Sequence, residues 1–263
     1  ARGIFTICIF IFIKKVADYF YVPLLYSLGY VVAGGLSLGI VFKDFGVKFT
    51  LPTLTAIRHQ LKEGWHFFVT IISVNLRTTS NAFILGLLTN NTIVGYYSGA
   101  EKLIRAAIGV FDPITVTVYP HISQLMDKSK EAGLKFVKKL IFLIGGIGFS
   151  LSAISFFFAP FIVKIILGPQ YQPSILVLQI LSIIPFIAGI AGVLGSQTMV
   201  TLNYKKQFAR IHFSAAALNL LLIFFLVLLY KQAGAAMAWV ITDIFVVILM
   251  TIFLWRKRIN ILN

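Results

Sequence analysis

Apolar runs of about twenty residues recur along this chain, and they constrain its fold more than any motif does. A bilayer core of ~30 Å takes about 20 helical residues to cross, and several stretches reach that length. Inside lipid every backbone N–H and C=O must be satisfied within the protein, which leaves helices or a closed barrel as spanning structures. The alternating ~10-residue pattern of a barrel strand is absent. The fold class is therefore all-α integral membrane. Composition agrees: 59% of the 263 residues are apolar, 12% are charged, and the mean hydropathy is +0.94. That is too little charge to cover a soluble domain.

The pattern predicts about eight transmembrane helices, at 1–14, 22–42, 66–88, 94–120, 138–163, 174–202, 210–230 and 233–255. The apolar run Ile4 to Ile13 is too short to span and reads as the far end of a helix that starts upstream. The sequence is accordingly expected to be the C-terminal part of a longer protein. Cys8 is the lone cysteine, so an internal disulfide framework is ruled out. Gly189, Gly192 and Gly195 follow Pro185 at three-residue spacing and predict a smooth face for close helix packing.

Loop charges orient the bundle. One set of connections carries Lys43, Lys48, Arg58, Lys62, Lys128, Lys130, Lys135, Lys138, Lys139, Lys205, Lys206, Arg210, Arg256, Lys257 and Arg258. The alternate set carries Lys14, Lys15, Lys164 and Lys231. Fifteen against four is a strong positive-inside bias and predicts a cytoplasmic C-terminus. The net charge of +15 is then mostly a topology signal facing anionic headgroups, and nucleic acid is not needed to explain it. Amphipathic cytoplasmic segments are expected near 52–63 and 124–138, lying in the headgroup region.

Charges inside the spans carry the functional signal, because each costs at least ~2.5–3.5 kcal/mol at mid-helix and needs a partner or water. Arg77 lies midway along its span and shares a face with Asn81, four residues on. Two readings are open: pairing with a carboxylate on a neighbouring helix, or binding an anionic substrate. Glu101, Arg105 and Asp112 fall on one stripe of the next helix, with Lys102 a step around it. A Glu101–Arg105 pair would neutralise itself and leave Lys102 unexplained. Arg77, Lys102 and Arg105 together would make a basic lining suited to phosphate oxygens. Asp112, before Pro113, is expected to cap the half-helix that follows. Asp243, one turn after Trp239, either carries a proton or ion, or pairs with a cation elsewhere. Glu101, Asp112 and Asp243 are thus the candidates for ion or proton coupling, while Gln179, Gln197 and Asn219 read as interhelical hydrogen-bonding residues. His59, His66, His121 and His212 are scattered, and no HExxH, P-loop or GxSxG pattern occurs. An enzyme is not expected, nor a cofactor or metal.

The run ILGLLTNNTIVGYYSGAEKLIRAAIGVFDPITVTVYPHIS, from Ile84 to Ser123, resembles the O-antigen and polysaccharide flippases of the multidrug/oligosaccharidyl-lipid/polysaccharide exporter superfamily. Val94, Gly95, Tyr97, Ser98, Ala100 and Lys102 match the "VGxYSxAxK" pattern there, and Tyr119, Pro120, Ile122 and Ser123 match "YPxIS". Further matches run from Tyr171 through Leu202 and at Gly234-Ala235-Ala236. The resemblance implies about twelve helices in two bundles, with residues 1–50 supplying the end of the first bundle and 51–263 the second. It further implies a bacterial inner-membrane flippase moving undecaprenyl-pyrophosphate-linked oligosaccharide to the periplasmic leaflet by alternating access, coupled to an ion gradient. A polysaccharide polymerase and a chain-length regulator would be its partners. Arg77, Asn81, Lys102 and Arg105 would then meet the pyrophosphate or acidic sugars.

Other classes make different demands. A drug/cation antiporter of the same fold calls for acidic cavity residues, which the three cations oppose. A membrane glycan polymerase needs a large outward loop, and every outward connection here is short. A scaffold without transport would leave the intramembrane charges without a task.

Overall fold

A computed structural model of the chain describes residues 21–44, 46 and 52–259. The expected first span at 1–14, Cys8, and Lys14, Lys15 and Lys48 lie outside the described residues. Among the described residues every regular element is helical. The chain divides into two compact units, Ala1–Gln60 and Leu61–Asn263. The first holds α1 (Tyr21–Asp44), which carries no acidic residue in its first turn and Lys43 in its last.

The second unit contains α2 (Leu54–Leu88) from Leu61 onward, α3 (Asn91–Ile108), α4 (Asp112–Lys128) and α5 (Lys130–Phe157). A single turn, α6 (Ala159–Ile162), leads to α7 (Ser174–Leu181), α8 (Ile184–Gly192) and the long α9 (Lys205–Arg256). Five stretches among the described residues are long and apolar enough to cross a membrane: Leu54–Leu88, Asn91–Lys128, Lys130–Phe157, Ser174–Val200 and Lys205–Arg256. Their outer faces are studded with exposed Phe, Leu and Ile, among them Phe83, Phe142, Phe149, Phe225 and Leu229. Such faces are stable in hydrocarbon, where hiding an apolar side chain brings no gain.

Local chemistry sets the helix ends. Asn90 caps α3 by accepting from the Ile93 N–H at 3.0 Å, and Ser129 caps α5 by accepting from Ala132 at 3.3 Å. Between α3 and α4 the backbone tightens into a 3₁₀ turn, Gly109–Phe111. Pro113 has no N–H to give Gly109, and the Asp112 N–H takes that carbonyl instead. Pro185 breaks the next span similarly. The Phe186 N–H is received by the Ser152 hydroxyl of α5 at 3.1 Å, so the break is satisfied between helices.

The two last expected spans are joined in one helical run interrupted at Lys231, with φ 48 and ψ −125. The run is a hairpin. A continuous helix rising ~1.5 Å per residue would place Asn219 and Thr242 more than ~30 Å apart, yet their side chains meet at 3.3 Å. Lys231 occupies a backbone region that favours glycine, at a cost of order 1–3 kcal/mol. Lys231→Gly should therefore raise the melting temperature of the detergent-solubilised protein by a few degrees. Lys231→Val should lower it, and equal melting of the two would refute the strained turn.

Two expectations need correction, and the amphipathic stretches near 52–63 and 124–138 are parts of longer helices. Residues 54–63 run unbroken into α2, while residues 124–128 close α4 and 130–138 open α5, because each turn's backbone bonds continue into the span. Asp112 does not cap α4 through its side chain; it is the first helical residue, exposed, where the helix dipole favours its charge. Of the three spaced glycines, Gly189 and Gly195 do sit against neighbours: an added Cβ would meet Ile144 at 2.8 Å and Phe208 at 2.5 Å. Gly192 faces open space.

The buried interior of the second unit has three layers. One apolar cluster gathers Tyr97, Ile104, Leu178, Ile184, Ile223 and Trp239. Another gathers Phe111, Ile122, Ile144, Met199, Ile211 and Met250. Buried polar residues fall between them at three places along the chain: Ser152 between Ile144 and Ala159, Asn219 between Ala215 and Ile223, Asp243 between Trp239 and Val246. This middle layer holds the candidate site.

Candidate functional site

Arg77 of α2 reaches into the layer and pairs with Asp243 on the second arm of the α9 hairpin. Both residues are 7% exposed. The other carboxylate oxygen accepts the indole N–H of Trp239 at 3.0 Å, one turn earlier on the same arm. The face of that indole carries the Arg105 guanidinium, 5.4 Å from the ring centroid. Arg105 in turn donates twice to one Glu101 oxygen, at 2.8 and 2.6 Å. One indole thus lies between two ion pairs contributed by three helices.

The surrounding polar atoms form short bridges. Asn81, fully buried, donates to the Tyr97 hydroxyl at 3.3 Å, and its own oxygen lacks a protein partner among the described residues. Asn219 donates to Thr242, whose hydroxyl donates to the Ala238 carbonyl at 2.7 Å. Gln197 donates to the Thr115 carbonyl at 3.0 Å, linking the π-helical stretch Val193–Val200 to α4. Asn219 and Gln197 therefore bond between helices. His212, half-buried, packs edge-on against Phe208 at 4.6 Å.

The candidate residues divide by exposure. Arg77, Asn81, Glu101 and Asp243 are buried. Lys102, Arg105 and Asp112 point out along one face of α3 and the start of α4, Arg105 with 45% of its side chain exposed. Among the described residues neither Lys102 nor Asp112 makes an ion pair. A charged face at membrane depth is too costly against hydrocarbon, so it faces protein or water. Both pairings weighed from sequence are thus present, Arg77 with a carboxylate on another helix and Arg105 with Glu101 one turn away. Sequence reasoning missed Trp239 as the connecting group. The signal was its four-residue spacing to Asp243, which puts the indole N–H beside the carboxylate. Among the described residues no three His, Cys, Asp or Glu side chains gather as a metal site.

α2 is held to the unit in a particular way. Its far end packs apolar residues, Leu85 with Ala82, Ile84 and Leu88, into the first cluster. Its middle and near end are tied through polar groups: Arg77 to Asp243, Asn81 to Tyr97, and the Lys205 ammonium over the Phe67 ring at 5.3 Å.

A multi-pass helical bundle with a buried interhelical ion pair and cations on an exposed helix face is a membrane protein of the transporter class. Residues 2–126 match the family model described as polysaccharide biosynthesis protein, and residues 109–262, more than half of the chain, match that described as lipid II flippase MurJ. The chain belongs to this MurJ-type flippase family, whose members are transporters rather than enzymes. It is 34% identical over 250 residues to a protein of Escherichia coli (strain K12) named "Putative O-antigen transporter", covering 95% of this chain and 60% of the relative. It is 27% identical over 247 residues to one of the same name from Shigella dysenteriae, covering 93% and 61%. The chain thus spans about 60% of the length of the curated relatives it matches. No solved structure matches it.

Proposed function

We propose that the protein to which this chain belongs flips undecaprenyl-pyrophosphate-linked O-antigen or related repeat units from the cytoplasmic to the periplasmic leaflet of the bacterial inner membrane. Membership of the MurJ-type family and the relatives' printed name support the substrate class. The observation that carries the reading is the exposed pair Lys102 and Arg105 at membrane depth on α3. Guanidinium and ammonium groups there meet pyrophosphate oxygens with charge-assisted hydrogen bonds, each worth about 1.5–3 kcal/mol. A drug-cation substrate would be repelled by the same face.

In this reading residues 1–50 end one bundle and residues 51–263 form the other, and rocking between them alternates access. The C-terminus is cytoplasmic, as the loop charges imply. Arg77 and Asn81 complete the substrate site, with Asp243 as the counter-ion that an incoming phosphate displaces. Glu101 and Asp243 are each held by an arginine. Asp112 is exposed without such a partner among the described residues, which makes it the coupling carboxylate most open to a proton or ion. A glycan polymerase and a chain-length regulator would take up the flipped unit.

The test is complementation with the full-length gene in its native host deleted for it. Wild type should restore surface glycan and clear lipid-linked repeat units from the cytoplasmic leaflet. Lys102→Ala and Arg105→Ala, at matched membrane levels, should each reduce restoration about tenfold or more. A deletion that leaves surface glycan intact and accumulates no lipid-linked sugar refutes the flippase.

A further inference from the structure

We propose that the cleft between the end of α5 and the start of α7 binds the phosphate headgroup of an anionic phospholipid, with Lys164 as its cation. The inference rests on the membrane placement of the helices and not on the identity of the transported substrate.

The cleft has a volume of about 230 Å³. Its wall is an irregular backbone: the α6 turn, a π-helical turn at Val163–Leu167, and a 3₁₀ turn at Pro169–Tyr171. The π turn is closed by the Gly168 N–H donating to the Val163 carbonyl at 3.1 Å. Gly168 then adopts φ +95, where a Cβ would also lie 2.7 Å from the Gln170 amide oxygen. The Gln170 amide is itself tied back to the Leu167 carbonyl at 3.3 Å. Glycine is thus favoured at the corner, and the backbone turn it makes forms one wall of the cleft.

Its lining is amphipathic. Pro160, Val163 and Ile175 supply an apolar wall, while Lys164 and Gln172 supply an ammonium and an amide. The segment leading into it exposes Phe157, Phe158, Phe161, Ile165 and Ile166, each more than half exposed. Such a collar is stable only against hydrocarbon, and a lysine within it must lie where its ammonium reaches the headgroups. The cleft therefore straddles the boundary between acyl chains and headgroups. Cation and amide meet the phosphate, and the apolar wall meets the first carbons of the chains.

Charge distribution makes Lys164 stand out. α5 runs from the lysine-rich end of the bundle to the opposite end, where the cleft lies. Among the described residues the cations at this end are Lys164 and Lys231. Positive-inside bias explains lysines at the other end and argues against them here. Lys231 belongs to the hairpin turn of α9, whereas Lys164 lines a formed cleft.

The experiment is native mass spectrometry of the full-length protein in detergent, titrated with phosphatidylglycerol, phosphatidylethanolamine or undecaprenyl phosphate. One saturable phosphatidylglycerol adduct is expected, weakened about tenfold by Lys164→Gln, retained in Lys164→Arg and unchanged in Lys231→Gln. Phosphatidylethanolamine, whose own ammonium competes with Lys164, should bind several-fold more weakly. Equal binding of the two phospholipids, or no effect of Lys164→Gln, would overturn the site. Tighter binding of undecaprenyl phosphate at Lys164 would overturn the phospholipid as its occupant. Because Lys164→Gln leaves the cations of α3 in place, loss of the adduct with normal glycan export separates this site from the transport reading.

Discussion

Arg77→Met alone should destabilise the protein by about 3–5 kcal/mol, because it leaves the Asp243 carboxylate buried without its counter-charge. Asp243→Leu should cost a similar amount by stranding the Arg77 guanidinium. The double variant, Arg77→Met with Asp243→Leu, should regain most of that loss. It replaces a buried ion pair by apolar groups and sacrifices mainly the Trp239 hydrogen bond, worth about 1 kcal/mol. Thermal melting of the three variants in detergent measures the cycle. If both single changes melt like wild type, the pair is not formed in the folded protein.

The same three proteins separate structure from transport. A purely structural pair predicts that the double variant folds and still exports glycan. The proposed mechanism predicts that it folds and exports about tenfold less or worse, because the phosphate-binding guanidinium is gone. Trp239→Phe refines the picture. It keeps an aromatic face for Arg105 but removes the N–H given to Asp243. A loss of about 1 kcal/mol in stability is expected from that change, with the Arg105 cation–π contact retained in weaker form.

The second large effect is expected at Gly234. An added Cβ there would collide with the Leu226 carbonyl group, on the opposite arm of the α9 hairpin. The clashing atom is backbone, so no rotamer change relieves it, and the arms must separate. Ala235, Ala236 and Ala238 are fully buried beside it and pack with Ile223 and Val227 in the first cluster. Parting the arms therefore loosens the cluster that holds Trp239. Gly234→Val should cost about 3 kcal/mol or more, at the upper end of overpacking effects, and cut the membrane level of the protein severely. Gly234→Ala should already be measurably destabilised. Wild-type melting of Gly234→Ala would show that the arms do not approach so closely. The match of Gly234-Ala235-Ala236 to the family pattern thus has a physical reading: two antiparallel helices meet at backbone distance just after their turn.

Much of this was legible in the linear chain, because the physics concerned is local. Transfer of a long apolar run into lipid depends on the run itself, so the spans among the described residues lie close to where their hydropathy puts them. Proline removes a hydrogen bond wherever it stands, so the break at Pro113 followed from identity alone. The Glu101–Arg105 pair is separated by one helical turn, and its geometry belongs to any helix that carries it.

What required the tertiary structure was the choice of partner across helices. Arg77 and Asp243 are 166 positions apart, and which carboxylate meets which guanidinium depends on helix rotation and depth. Those are set by the packing of Leu85, Tyr97, Ile223 and their neighbours, a property of no single segment. The same holds for the Phe186 N–H received by Ser152 and for the indole shared between two ion pairs. The amphipathic stretches joined to their spans belong here too, since continuity of backbone hydrogen bonding is decided along the assembled helix. The sequence by itself determined that this chain lives in a membrane as helices with costly charges inside. The packed bundle decided which of those charges neutralise each other and which, Lys102 foremost, are left facing outward, because pair energies depend on distances that only packing sets.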